Sequence, residues 1–318
     1  MAPLLIDPWS PDYDSAFQVD EEEFQTSPQI DIEVETSQWR PIRKECSQPY
    51  TTLVFVDGVR RVETRVISQE PGQLIYGLFG VIGVGSVLRT TGKAQIDSAS
   101  VFRYLILGAG KRRGETIRAG NCDLRFEGFG SALNTPPEMV KELQNLMRRA
   151  EAALGLSLLS SVRCVFVDGP LTYFSTSTQA LVGIVKRIHR LYLPVEALEL
   201  LKNLDAGERT PLFLIADGKY DRYSCYIRLT RPLPTEHLYA GIVRIEVRKA
   251  VGLETSLNLA DFACQELPKF ASSRIRDPRA PQNLLPVGAL EDELKRRLGD
   301  AVLIQRGIQQ RIFEGVQI

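Results

Sequence analysis

The pentapeptide Val-Phe-Val-Asp-Gly occurs twice in this chain of 318 residues, at 54–58 and again at 165–169. Each copy closes a short, almost wholly apolar run rich in β-branched and aromatic residues. Such runs fit strands buried on both faces, the pattern of parallel pairing inside an α/β sheet. Asp-Gly after a strand favours a turn, so each run is expected to deliver an aspartate at its carboxyl end. Ligands of α/β sheets bind beyond those ends. Two such strands side by side would bring Asp57 and Asp168 to one site. A third case, Leu-Ile-Ala-Asp217-Gly218, is read as an ordinary turn.

The sequence around these runs predicts a mixed sheet flanked by helices. A strand is expected at about 52–57, and alternation from Val62 to Gly110 predicts two or three more. Residues 111–135 read as a basic, glycine-bearing connection. Pro136-Pro137 opens a helix after Thr135, a residue suited to capping. Its apolar stripe is Val140, Leu143, Met147, Ala150 and Leu154. After the second strand, 162–167, residues 177–192 are expected as a helix carrying Lys186, and 196–204 as a shorter one. Strands near 211–217, 223–230 and 240–248 follow, with helices near 256–272 and 287–298. Strands in a run, then strands alternating with helices, give the α/β class.

The formal net charge is zero, but it is unevenly distributed. Residues 1–39 hold ten of the 39 acidic residues and no Lys or Arg, leaving a body with 39 basic and 29 acidic side chains. A body of that sign attracts polyanions in a salt-dependent way. The acidic, Pro-containing segment is expected to be irregular, with Trp9, Phe17, Phe24 and Trp39 as anchors. It either aids solubility, docks on a basic partner or covers the body's own basic groove. The domain reading is an N-terminal arm, 1–49, and a folded domain, 50–318. Five dispersed cysteines without a CxxC pair read as reduced thiols, not a disulfide frame or zinc site. No signal-peptide pattern opens the chain, and the apolar stretch 74–88 is too short and glycine-broken to span a bilayer as a helix. A cytoplasmic protein is expected.

Converging carboxylates repel unless a cation lies between them, and oxygen ligands suit Mg²⁺ or Mn²⁺. A pair of such ions is a recurrent device of phosphodiester hydrolysis. An early strand ending in Asp-Gly, a helix with Arg-Arg-Ala-Glu (148–151), and then Phe-Val-Asp-Gly-Pro-Leu (166–171) resemble the NurA nuclease family. So do Val-Gly-Ile-Val-Lys-Arg at 182–187 and Val-Arg-Ile-Glu-Val at 243–247. The resemblance runs from about residue 50 onward. It implies an RNase H-like fold and Mn²⁺-dependent (or Mg²⁺-dependent) DNA cleavage, by 5′-3′ exonuclease and single-strand endonuclease action. It also implies a homodimer that partners a hexameric HerA-type translocase ATPase in DNA end processing for repair.

Carried over by position, Asp57 and Asp168 match metal-binding carboxylates and Glu151 the helical one. Glu151 lies four residues after Met147, beside the apolar stripe, whereas Glu142 on the outer side is expected to be solvated. Lys186 matches a lysine suited to stabilising charge on the scissile phosphate. Many members carry a late-helix histidine that is missing here. Asp277 or Glu291 stands in the corresponding region, and an inactive DNA-binding or scaffold module is the alternative that this departure raises. His189 and His237 have no metal-spaced companion. The glycines at 80–85 and 108–110 do not form a nucleotide-binding loop. Lys111-Arg112-Arg113, Arg148-Arg149, Lys186-Arg187 and Arg296-Arg297 are candidate phosphate contacts, separable from solvated faces only by convergence in space. Tyr173 and Phe174 are candidates for stacking on a base.

Overall fold

A computed structural model describes residues 4–6, 28–47, 50–90, 92–159, 164–174, 180–186, 188, 190–218, 220–273, 275 and 279–316. Its organising elements are strands β3 (Leu53–Glu70), β4 (Gln73–Thr90) and β5 (Lys93–Leu107). Each is far longer than the usual five or six residues. β3 pairs antiparallel with β4 along its whole length, from Leu53–Arg89 to Glu70–Gln73, and β4 pairs likewise with β5. The first Asp-Gly is therefore not a turn. Asp57 and Gly58 pair with Gly85 and Val84, and the ladder continues past them. Val59, Val62 and Val66 are buried beyond Gly58, and the pairing has a single register shift at Val62/Thr64.

The stretch 111–135, expected as a connection, contains a hairpin of β6 (Glu115–Ala119) and β7 (Cys122–Gly130), and β7 lies parallel to β5. Helix α1 (Pro136–Leu158) follows, with prolines at its start; Thr135 is its N-cap residue but makes no side-chain capping bond. α1 is the crossover to β8 (Val165–Asp168), which pairs parallel with β3, as β9 (Leu181–Val185) does with β8. Residues 181–185 are thus a strand, not part of the expected helix. A short apolar run has no period that separates a buried strand from a buried helix, and here its β-branched residues are covered on both faces.

Helix α2 (Val195–Asn203), strands β10 (Phe213–Ala216), β11 (Arg222–Arg228) and β12 (Ile242–Arg248), and helices α3 (Leu253–Glu266) and α4 (Leu285–Arg297) fall close to expectation. Helix α5 (Ala301–Val316) was not anticipated. Asp217-Gly218 is the expected turn, with Gly218 at φ +80°.

Two short strands come from the N-terminal segment. β1 (Leu4–Ile6) pairs with β3 at Val66–Ser68, and β2 (Gln29–Asp31) pairs with β10. The sheet order is β2-β10-β11-β12-β9-β8-β3-β4-β5-β7-β6, with β1 beside β3. Trp39 donates its indole N–H to the Ala197 carbonyl at 3.1 Å and packs in the α2 cluster, so it is an internal anchor. Trp9, Phe17 and Phe24 lie outside the described residues. Cys164, Cys225 and Cys264 are buried, and all five cysteines are free thiols. Among the described residues no helix is long and apolar enough to cross a membrane.

The two faces of the sheet are distinct. Leu53, Phe55, Phe166, Val182 and Ile184 pack with α3 and the start of α4, whereas Val54, Val56, Val165, Val167 and Leu181 pack with α1. That alternation assigns each site residue to a side.

Candidate active site

Successive side chains of a strand point to opposite faces. Asp57 follows Phe55, Asp168 follows Phe166 and Lys186 follows Ile184, so all three project to the α3/α4 face. Val56 is aligned with Val167 in the parallel ladder, which places Asp57 and Asp168 abreast on adjacent strands. Glu291 of α4 completes the group: one carboxylate oxygen from each of Asp57, Asp168 and Glu291 lies within 4.8 Å of the others. Glu291 stands in the region where the family histidine is missing. Asp277, the other candidate there, lies outside the described residues.

Glu151 approaches from beneath. Gly58 points to the α1 face, and a Cβ there would stand 2.5 Å from Glu151 Oε1 and 2.9 Å from Met147 Cγ. Gly58 is thus needed for close approach, not for a bend. Glu151 is 1 % exposed and outside the three-carboxylate group; its Oε2 accepts a 3.0 Å bond from Arg148, while Oε1 abuts the Gly58 main chain without a well-formed bond. A Gly58→Ala variant should lose about 1–3 kcal/mol through overpacking, read by thermal melting; a wild-type melting temperature would show that the close approach of Glu151 is not constrained. Glu142, expected to be solvated, is half-buried.

The cations are specifically placed. Lys186 Nζ donates to Asp168 Oδ2 at 2.7 Å and to Asn283 Oδ1 at 2.8 Å. Arg148 also donates to the Asp168 carbonyl at 2.7 Å, so this candidate phosphate contact is an internal brace. Arg279 grips both oxygens of Glu291 at 2.9 and 2.8 Å. Sequence reasoning missed Asn283, a buried side chain in the loop before α4, because a lone Asn there carries no recognisable pattern. Tyr173 bonds Asn145 and Phe174 is buried in the α1 cluster.

Asp57 is the exception. Its side chain is buried and Oδ2 has no hydrogen-bond partner. Burial, then the Asp168 charge, pushes its carboxyl well above the ordinary range, with Lys186 opposing and Glu151 and Glu291 adding to the rise. Burial raises Glu151 too, against Arg148. Burial also works against Glu291, but the bonds and charge of Arg279 outweigh it and hold that carboxyl low. An orphaned buried carboxylate oxygen facing two further carboxylates is a donor set that fits a hard divalent cation.

The crystal structure of the NurA nuclease from Sulfolobus solfataricus aligns at 11% identity over 80% of this chain and 81% of that one, with a TM-score of 0.47. Endonuclease V from Bacillus subtilis aligns at 11% identity over 80% and 84%, with a TM-score of 0.35. The catalytic domain of human endonuclease V aligns at 14% over 81% and 87%, at 0.34. No curated protein matches by sequence. The NurA domain matches residues 51–287, a span that takes in β3, α1, β8, β9 and the start of α4. With most of its length so matched, this chain belongs to the NurA domain family.

Proposed function

We propose that this protein is a DNA nuclease whose catalytic centre is built from Asp57, Asp168 and Glu291, with Glu151 as a fourth carboxylate below and Lys186 beside it. The observation that carries the reading is the buried, unpartnered Asp57 oxygen facing Asp168 and Glu291, in a chain of this family. Asp57, Asp168 and Glu291 would hold Mn²⁺ or Mg²⁺. Such an ion, when bound, supplies Lewis-acid stabilisation of the phosphoryl group and a more acidic water. Lys186, fixed between Asp168 and Asn283, presents a positive charge where the scissile phosphate must sit. Arg148 fixes the Asp168 backbone, so the carboxylate spacing is set before substrate arrives.

Family membership supports the finer reading too: 5′-3′ exonuclease and single-strand endonuclease action, as a homodimer in the cytoplasm, in DNA end processing with a hexameric HerA-like translocase. The sequence has no ATP-phosphate loop, so motor activity would come from the partner. A plasmid and labelled single-strand cleavage assay with Mn²⁺, Mg²⁺ or EDTA tests the proposal. Cutting should depend on the divalent ion and vanish in Asp168→Ala. Folded protein that cuts under no condition, alone or with its translocase, would favour the inactive scaffold reading.

A further inference from the structure

Arg112 and Arg113, candidates in the sequence only as part of a basic run, converge in space with two arginines from elsewhere. Together with Arg125 of β7 and Arg311 of α5 they line an open groove of about 730 Å³ at the β6 end of the sheet. Two of the four are fixed in place. Glu115, buried on β6, pairs with both Arg113 and Arg311, the latter at 3.2 Å. Arg112 and Arg125 are exposed. The Arg112 guanidinium lies over the Phe129 ring, 6.0 Å from its centre. Gly128 lets the Arg113 backbone lie directly against β7, since a Cβ there would fall 2.6–2.7 Å from it.

We infer that this groove is a second nucleic-acid contact, binding the phosphates and bases of a single strand whose cleavage point lies at Asp57. The inference rests on the nuclease reading above. Guanidinium groups suit phosphate oxygens geometrically, and the plane of an exposed arginine can also stack on a base. The register sets a lower bound on the separation, because Arg125, adjacent to Phe126, points to the α1 face and Asp57 to the other. Phe126 on the groove floor is level with Arg103, Val81 and Arg61 across β5, β4 and β3. Three strand spacings across and four residues along β3 amount to about 20 Å. At about 3.4 Å per stacked nucleotide that is roughly six nucleotides, so a strand must exceed that length to touch both places.

The test is fluorescence anisotropy in EDTA with labelled oligothymidylates of about 4 and about 20 nucleotides, comparing wild type with Arg112→Ala/Arg125→Ala. Neither replaced side chain holds Glu115, so the hairpin is left intact. The double variant should bind the long strand about tenfold more weakly, and its log–log salt slope should fall by about 1.4, two contacts at about 0.7 each. The short strand should bind as in wild type. Arg112→Lys/Arg125→Lys should restore the salt slope but only part of the affinity, because lysine keeps the charge and loses the plane. Unchanged affinity and slope for the long strand would overturn the inference, as would an equal loss for both lengths. A change of oligomeric state in sedimentation that accounts for the affinity loss would make the groove an interface between copies and overturn it too. Asp168→Ala should keep the length preference, which separates failure of this inference from failure of the nuclease reading.

Discussion

Replacing Asp57 with asparagine is expected to abolish cleavage and, without divalent ions, to make the protein more stable above about pH 4. The catalytic loss follows from removing a ligand of the proposed cation. That withdraws several kcal/mol of transition-state stabilisation, about a thousandfold or more in rate. The stability gain follows from the direction of the Asp57 shift. Its carboxyl is raised from the ordinary value of 3.8 by burial and by Asp168. A carboxyl with a higher pKa in the folded state than in the unfolded state penalises folding once it must ionise. The penalty is absent below 3.8, grows as pH rises toward the folded value, and is complete above it. Asparagine, nearly the same size, never incurs it. Melting temperatures in EDTA should therefore favour Asp57→Asn at alkaline pH and converge with wild type in acid. Added Mn²⁺ should raise the wild-type value and leave the variant unchanged, since a ligand bound only by the folded state stabilises it. A variant less stable than wild type throughout, or one stabilised equally by Mn²⁺, would show that Asp57 is neither strained in the free site nor a ligand.

The second large effect lies away from the site. Arg209 has a fully buried side chain between Glu35 and Asp261. It meets both oxygens of Glu35 at 2.8 and 2.9 Å and Asp261 Oδ1 at 2.8 and 2.6 Å, while Glu35 also accepts the Leu212 amide at 2.7 Å. Arg209→Leu would leave two shielded carboxylates facing each other. Breaking a buried pair by removing one partner is worth about 3–5 kcal/mol. Burial works against the Glu35 charge, but the bond and charge of Arg209 hold its carboxyl below the usual 4.5. A lowered carboxyl pKa contributes stability above the unfolded value and loses it as pH falls through the folded one. The deficit of the variant should thus be greatest at neutral pH and shrink in acid, where its stranded carboxylates become protonated. Urea denaturation at both conditions reads this. A neutral-pH deficit under about 1 kcal/mol would mean that the residues relax to water or find other partners. Because Glu35 joins the N-terminal segment to the body, limited proteolysis of the variant should start there.

These two clusters show different degrees of legibility in the sequence. Asp57 and Asp168 stand out because the same apolar run precedes both, and a buried strand has a recognisable composition. Period-2 alternation and helix-opening prolines likewise sufficed for α1 and for most of the strands. Local sequence misassigned 181–185, because a short apolar run satisfies either period. It also placed a turn at Gly58, where the requirement is for space and not for bending. That space is set by Glu151, 93 positions later in the chain, and no local pattern encodes it. Glu35 and Arg209 are likewise a partnership across the fold, invisible in a segment that reads as an acidic tail. The sequence by itself determined the α/β class, the paired aspartates and the family. Tertiary structure alone decided that Glu291 joins Asp57 and Asp168, that Asn283 steadies Lys186, and that four scattered arginines share one groove. The physical reason is range: strand and helix periods act over a few residues, whereas a charge, a cavity or a close approach is satisfied by whichever residue packing brings near.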